Sequence, residues 1–282
     1  MGYGSWGMNL TLVASALVLI AADAAAADDG QLKALRRTID TLSPLHRPLA
    51  EPGPNDWLRM HEESGQTFEE YLHCAPAVPD ESHGVIYIQP LGRFDPQQRR
   101  IIARTAEFVK LYYGMPVMIK ADLALSSVPP RARRRNPLQG MEQLLAPYVI
   151  EELLIPSLPQ DAAAYIAFTA SDLWPGEGWN FVFGLATPDE RVGVWSLHRF
   201  GDPAQGEEAY RRCLQRTIKT AVHEIGHMFS IMHCTACECV MNGSNHLAEM
   251  DSRPLALCPQ CLAKLLYATG CQPLARFRAL AD

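Results

Sequence analysis

Residues Thr220 to Cys261 read TAVHEIGHMFSIMHCTACECVMNGSNHLAEMDSRPLALCPQC, and the meaning of this stretch decides how the rest of the chain folds. It opens on H-E-x-x-H, with His223, Glu224 and His227. Helical positions four apart stack one turn apart on one face. Two imidazoles can then grip one Zn²⁺ while the carboxylate stands beside the open side of the metal. The helix has independent support. Leu214, Ile218, Ala221, Val222, Ile225, Met228, Phe229 and Met232 recur as one apolar stripe at about 100° per residue. His223 and His227 lie about half a turn from that stripe. A helix over residues 207–231 therefore packs its stripe on a core and turns the two histidines into a cleft.

Two surface histidines on an ordinary helix are the bland alternative, and His233 weighs against it. Six residues past His227, it is off the face of a continuing helix, so the chain must bend to return it to the metal. Three histidines leave a fourth position vacant, the pattern of catalytic rather than structural zinc. The bend would suit glycine, but the sequence has Ser230, at a cost of about 1–2 kcal/mol if it turns left-handed.

The cysteines that follow read as a second, closed site. Cys234, Cys239, Cys258 and Cys261 offer four thiolates, with Cys258-Pro-Gln-Cys261 as one half. CxxC spacing would instead select Cys237 as the second ligand. Such a site has no open position for a substrate and would tie together a segment with little core of its own. Disulfides or buried thiols are the competing reading.

Taken together, these residues resemble the archaemetzincins, zinc metallopeptidases within the metzincins. The family pattern is HExxHxxGxxHC, four residues, CxM, a gap of about 17, and CxxC. Here it runs His223-Glu224, His227, Ser230 in the glycine position, His233-Cys234, Cys239-Val-Met241, sixteen residues, and Cys258 to Cys261. The similarity extends through Gly243 to Leu265, Trp179 to Ala186 and Gly65 to Tyr71. The resemblance implies that Cys239 is the structural ligand, that Cys237 is free, and that Met241 is the methionine of a Met-turn flooring the zinc site. It implies an α/β (α+β) metzincin-like fold: a mixed twisted sheet with backing and active-site helices, plus a small zinc-stapled C-terminal lobe. It also implies an edge strand above the cleft that pairs antiparallel with substrate backbone. That strand is expected between Trp179 and Phe200.

The 282 residues are 48% hydrophobic and 20% charged, enough for one sizeable domain or two small lobes. A net charge of −6 leaves no nucleic-acid footprint. Leu10 to Ala22 is an apolar run too short to span a bilayer comfortably, so no stable membrane insertion is expected. Ala25-Ala26-Ala27 follows it as a small-residue cleavage site. Residues 1–27 therefore read as a signal peptide, although residues 1–9 lack Lys and Arg. A secreted or periplasmic protein is expected, with a cytoplasmic one as the alternative. Cys74, Cys213, Cys237 and Cys271 lie outside the proposed four-thiolate site, an even number that permits disulfides.

The expected organisation is a signal peptide over 1–27, an extension over 28–84, a catalytic subdomain with the zinc helix over 85–233, and a second subdomain over 234–282. Gln31 to Leu42 is a candidate helix, Pro48 to Asn55 a breaker-rich link, and His61-Glu62 a surface pair. Val85 to Gln89 reads as a strand, Pro96 to Tyr113 as a helix and Pro116 to Leu125 as a strand, which suggests a parallel pair. Arg131 to Arg135 reads as a solvated basic loop and Leu138 to Leu154 as a helix. Tyr165 to Ala170, Trp179 to Leu185 and Val192 to His198 read as strands, and Pro259 to Tyr267 as a terminal helix. His198 reads as a strand side chain; His246 has no ligand spacing.

The expected chemistry is zinc-assisted peptide-bond hydrolysis. His223, His227 and His233 hold a metal that brings bound water toward a pKa of ~7. Glu224 takes the proton as general base and delivers it to the leaving amine. Gly243, two residues past Met241, offers no tyrosine as a second oxyanion donor. Two zinc ions per chain, a peptide or protein substrate and a monomer are expected. The alternative is a catalytically silent two-zinc protein that binds peptides or proteins. Glu224 argues against it, because a purely structural metal site has no need of that carboxylate.

Overall fold

The computed structural model describes residues 29–281, so the expected signal peptide lies outside the described residues. In chain order the elements are α1 (Asp29–Leu42), α2 (Trp57–Met60), α3 (Phe68–His73), β1 (Val85–Leu91), α4 (Pro96–Tyr113), β2 (Val117–Ile119), β3 (Arg133–Arg135) and β4 (Glu142–Leu145). There follow α5 (Ala146–Tyr148), β5 (Ala162–Thr169), β6 (Asp172–Trp174), β7 (Gly184–Thr187), β8 (Val192–Ser196), α6 (Glu207–Met228), α7 (Leu247–Ser252), α8 (Pro259–Thr269) and α9 (Pro273–Ala281).

A five-stranded mixed sheet in the order β2-β1-β5-β8-β7 forms the frame. β1 runs parallel to β2 and β5, β5 runs parallel to β8, and β7 alone is antiparallel. The inner strands are mostly apolar because both faces are covered. Along β5, Ala164, Ile166 and Phe168 join the core shared with α4 and α6, while Tyr165 and Ala167 enter a second core on the opposite face. The expected boundaries of α4 match those observed, and the local chemistry explains why. Asp95 and Gln98 form a reciprocal capping box ahead of Pro96, and Gly114 ends the helix in the left-handed conformation.

Several expectations are corrected. Residues 138–154 are not one helix: Glu142–Leu145 is a strand between β3 and β6 in a second, three-stranded sheet, and α5 with a π-helical continuation, Val149–Leu154, starts only after it. The basic run is not a solvated loop. Arg133 donates from Nε to Val128 O, and Arg134 donates to Gln143 Oε1 and to the carbonyls of Trp179 and Asn180. The strand after β1 is only three residues long. Trp179 to Phe183 is irregular, and the strand there is Gly184–Thr187. α6 ends at Met228, so Met232 leaves the apolar stripe and is exposed.

The N-terminal arm crosses the far end of the chain. α1 packs on α8. Pro48 bridges Cys237 in antiparallel fashion, with Leu49 N–H donating to Ala236 O and Glu238 N–H to Arg47 O. The buried ammonium of Lys264 donates to Gln66 O. No helix among the described residues is long and apolar enough to cross a membrane.

Candidate metal centre and cleft

α6 presents His223, Glu224 and His227 one turn apart, and the chain then reverses. Its C-terminus closes with Ile231 N–H donating to Gly226 O and Ser230 N–H donating to His227 O. This is a Schellman pattern with Ser230 in the left-handed position at φ 62°. Ser230 Oγ accepts from Ala77 N–H at 2.9 Å, a bond glycine could not make, which offsets part of the backbone strain. The turn returns His233 to the other two histidines. Ring centroids lie 4.6, 5.2 and 4.8 Å apart around the triangle.

All three Nδ1 atoms are engaged. That of His223 faces Val240 O at 2.8 Å, that of His227 faces Ile231 O at 2.7 Å, and that of His233 faces the Glu63 carboxylate at 2.9 Å. These partners only accept, so each Nδ1 carries the proton and each Nε2 presents a lone pair. The His223 and His227 Nε2 atoms are 2.9 Å apart. Two lone pairs that close repel unless a cation or proton lies between them, so the donor set fits zinc. Burial, with the neighbouring imidazoles, pushes the pKa of His227 well below the ordinary range and lowers that of His233. Both shifts favour the neutral, ligating form.

Beside them, burial pushes the Glu224 carboxyl up, against the pull of His223 and the Trp195 indole N–H. Trp195 fits there because its cross-strand partner is Gly184, where a Cβ would fall 1.9 Å from the indole. Met241 lies beneath α6 at 1% exposure, and a Cβ on Gly226 would stand 2.7 Å from its sulfur. The glycine of HEIGH thus lets the methionine floor pack against the helix.

The cleft above holds about 710 Å³. β7 forms one rim and the segment around Met250 to Pro254 another. Sequence reasoning missed two residues at the site. Trp57 stands edge-on to His233 at 5.2 Å, in space left by Gly243, and its indole N–H donates to Glu63. Glu63 lies 170 residues from His233, so no local spacing pointed to it.

The sulfurs of Cys234, Cys239, Cys258 and Cys261 lie within 4.8 Å of one another, and all four residues are buried. Cys237 lies outside that group. The Asn242 side chain locks the loop: it accepts from Cys239 N–H and donates to Cys234 O and Cys237 O. Hydrogen bonds from Cys239, Cys258 and Cys261 hold the Cys234 thiol far below its ordinary range, while burial pushes Cys239 well up. A divalent cation removes that conflict by letting all four ionise, so this set also fits zinc. None of the eight cysteines is paired in a disulfide among the described residues. His198 follows β8 in a 3₁₀ turn, outside both groups. His246 caps α7 by accepting from Glu249 N–H.

Residues 163–266 match the family model described as Peptidase family M54. Archaemetzincin-2 of Macaca fascicularis is 31% identical over 288 aligned residues, covering 90% of this chain and 78% of that protein. Archaemetzincin of Pyrococcus furiosus is 32% identical over 66% of this chain and 94% of its own length. The crystal structure of archaemetzincin from Methanopyrus kandleri superposes with a TM-score of 0.52 at 29% identity, covering 73% of this chain and 99% of that one.

Proposed function

The chain belongs to the archaemetzincin family of zinc metallopeptidases, and from that premise we propose that it hydrolyses peptide bonds in the cleft beneath β7. His223, His227 and His233 would hold the catalytic zinc, with Glu224 as the general base. The observation that carries this reading is the convergence of three Nε2 lone pairs, each fixed by an engaged Nδ1, beside the carboxyl of Glu224. Zinc bound there supplies Lewis acidity toward a carbonyl oxygen and acidifies water.

The chain's own groups do the rest. Glu224 accepts a proton from the attacking water and carries it to the leaving nitrogen, and its raised pKa moves it toward the range where a base both takes and returns protons. Glu63 holds His233 in one tautomer. β7 supplies the docking edge. Ser196 N–H donates to Phe183 O, and in the antiparallel register Leu185 faces Val194. By alternation, the backbone groups of Gly184 and Ala186 point away from β8. An extended peptide can pair with them, and an antiparallel strand there would extend the sheet.

A second, structural zinc would be held by Cys234, Cys239, Cys258 and Cys261, giving two per chain. The partner in this reading is a peptide or protein, and residues 1–27 read as a signal peptide accord with extracytoplasmic substrates.

Two measurements test this. Zinc content should be two per chain and fall to one in His223→Ala. Glu224→Gln should keep both zincs and lose on the order of 10²–10⁴-fold in peptide hydrolysis. Hydrolysis unaffected by that change would overturn the mechanism.

A further inference from the structure

One end of the cleft is cationic. Lys219 and Thr220 precede His223 on α6 by four and three residues, so they lie about one turn, ~6 Å, along the helix, and both line the cleft. Arg253 also lines it, with Met250 and Pro254. The Lys219 ammonium donates to Met250 O at 2.9 Å and Asp251 O at 3.2 Å, which leaves one of its three donors free. The Arg253 guanidinium donates to Glu249 from one terminal nitrogen. Its Nε and the Thr220 hydroxyl are buried without a partner.

The nearby anions are committed. Glu249 also accepts from Trp57 N–H and Asn245 N–H, and Asp251 is held in a two-pronged pair by Arg216. Asp56, within 4.8 Å of Glu249, is likewise engaged, by His246 and by Gly53 N–H, so the three carboxylates around Arg216, Lys219 and Arg253 all have partners while donors on Lys219 and Arg253 stay unused. Burial lowers the pKa of Lys219. A charge on that wall is under-solvated and gains from an anionic partner.

We propose that Lys219 and Arg253 form a subsite for a carboxylate borne by the substrate residue flanking the scissile bond. The proposal rests on the cleft being the peptide-binding site. One helical turn separates the wall from the histidines, about the reach of a side chain next to the bond placed over them. The carboxylate belongs either to an Asp or Glu side chain or to the chain end, and the two are separable by experiment.

The test uses the zinc-loaded Glu224→Gln chain, so binding is read without turnover. Blocked pentapeptides carry a single Asp at each position in turn, each paired with its Asn counterpart. A further peptide carries its only carboxylate at the C-terminus and is paired with its amide. Calorimetric Kd ratios are the readout. We expect at least a fivefold preference for the acid form at one side-chain position, or at the terminus if the chain end is the ligand. That ratio should fall to within about twofold of unity in Lys219→Gln and in Arg253→Gln, and Arg253→Lys should restore part of it. Lys219→Gln keeps the test open should Arg253→Gln, which strands Glu249, fail to fold. No acid preference anywhere, or a preference that survives both substitutions, overturns the subsite. Failure of the unsubstituted chain to cleave any peptide would overturn the peptidase reading instead.

Discussion

Ser230 shows how one residue carries the site's geometry. Its φ of 62° costs about 1 kcal/mol or more against glycine, and the bond from Ala77 N–H to its hydroxyl returns about the same. Ser230→Gly removes strain and bond together, and should shift stability by less than about 1 kcal/mol. Ser230→Ala keeps the strain and loses the exposed bond from Ala77 N–H, and should destabilise the fold by roughly 0.5–1.5 kcal/mol. Urea unfolding of the three proteins gives the order directly; alanine at least as stable as glycine would contradict it. The left-handed turn was legible from the spacing of His227 and His233, because no continuing helix reaches both. Its compensation was not legible, since Ala77 is 153 positions away.

β7 is an element whose role depends on which way its amides point. Ala186 N–H faces away from β8 by the register, so Ala186→Pro removes a donor from the free edge but none from the sheet. Peptide hydrolysis should fall about tenfold in kcat/KM, the loss of one substrate hydrogen bond of about 1.4 kcal/mol, with little change in Tm. Leu185→Pro removes an amide facing Val194 and should lower Tm sharply; equal effects of the two on Tm would mean that the assigned alternation is wrong. Elements with strong local signals were legible. The helices α4 and α6 follow from apolar periodicity. Glu142–Leu145 was not legible, because its strand state comes from pairing with Arg133–Arg135 and Asp172–Trp174, contacts that override a local helical pattern. The basic run misled for a related reason: its arginines find carbonyl acceptors far away in sequence. The candidate metal ligands that the structure brings together were legible as a group because they sit in one local stretch with fixed spacing, whereas Glu63 and Trp57 reach the site from another part of the chain.

At the scale of the whole molecule, metal and fold are linked through protons. Without zinc, His227 and His233 titrate below their ordinary 6.5. The unfolded chain then takes up protons near pH 6.5 that the folded chain refuses. Their contribution is full above that pH and is lost as pH falls through the lowered folded values. Glu224 acts with the opposite sign, because its folded pKa lies above 4.5 and acid relieves it, but it is one group against two. The zinc-free protein should therefore lose roughly 2–4 °C of Tm for each 1 kcal/mol forfeited between pH 7 and 5.5. The zinc-loaded protein should depend on pH more steeply, because protons also compete for the ligands. Calorimetry of both forms checks this, and a zinc-free Tm that rises on acidification would refute it. The crossing of the N-terminal arm over the far end of the chain has a further consequence, in time rather than space. α1 is made first, yet α8, on which it packs, emerges about 200 residues later, roughly 10–40 s at ordinary rates of synthesis. Through that interval the apolar face of α1 has no native surface to cover it, and the segment that brings Glu63 to His233 has nowhere to dock. The histidine centre can be completed only when the last helices leave the ribosome, so the growing chain passes through synthesis with its metal site unfinished.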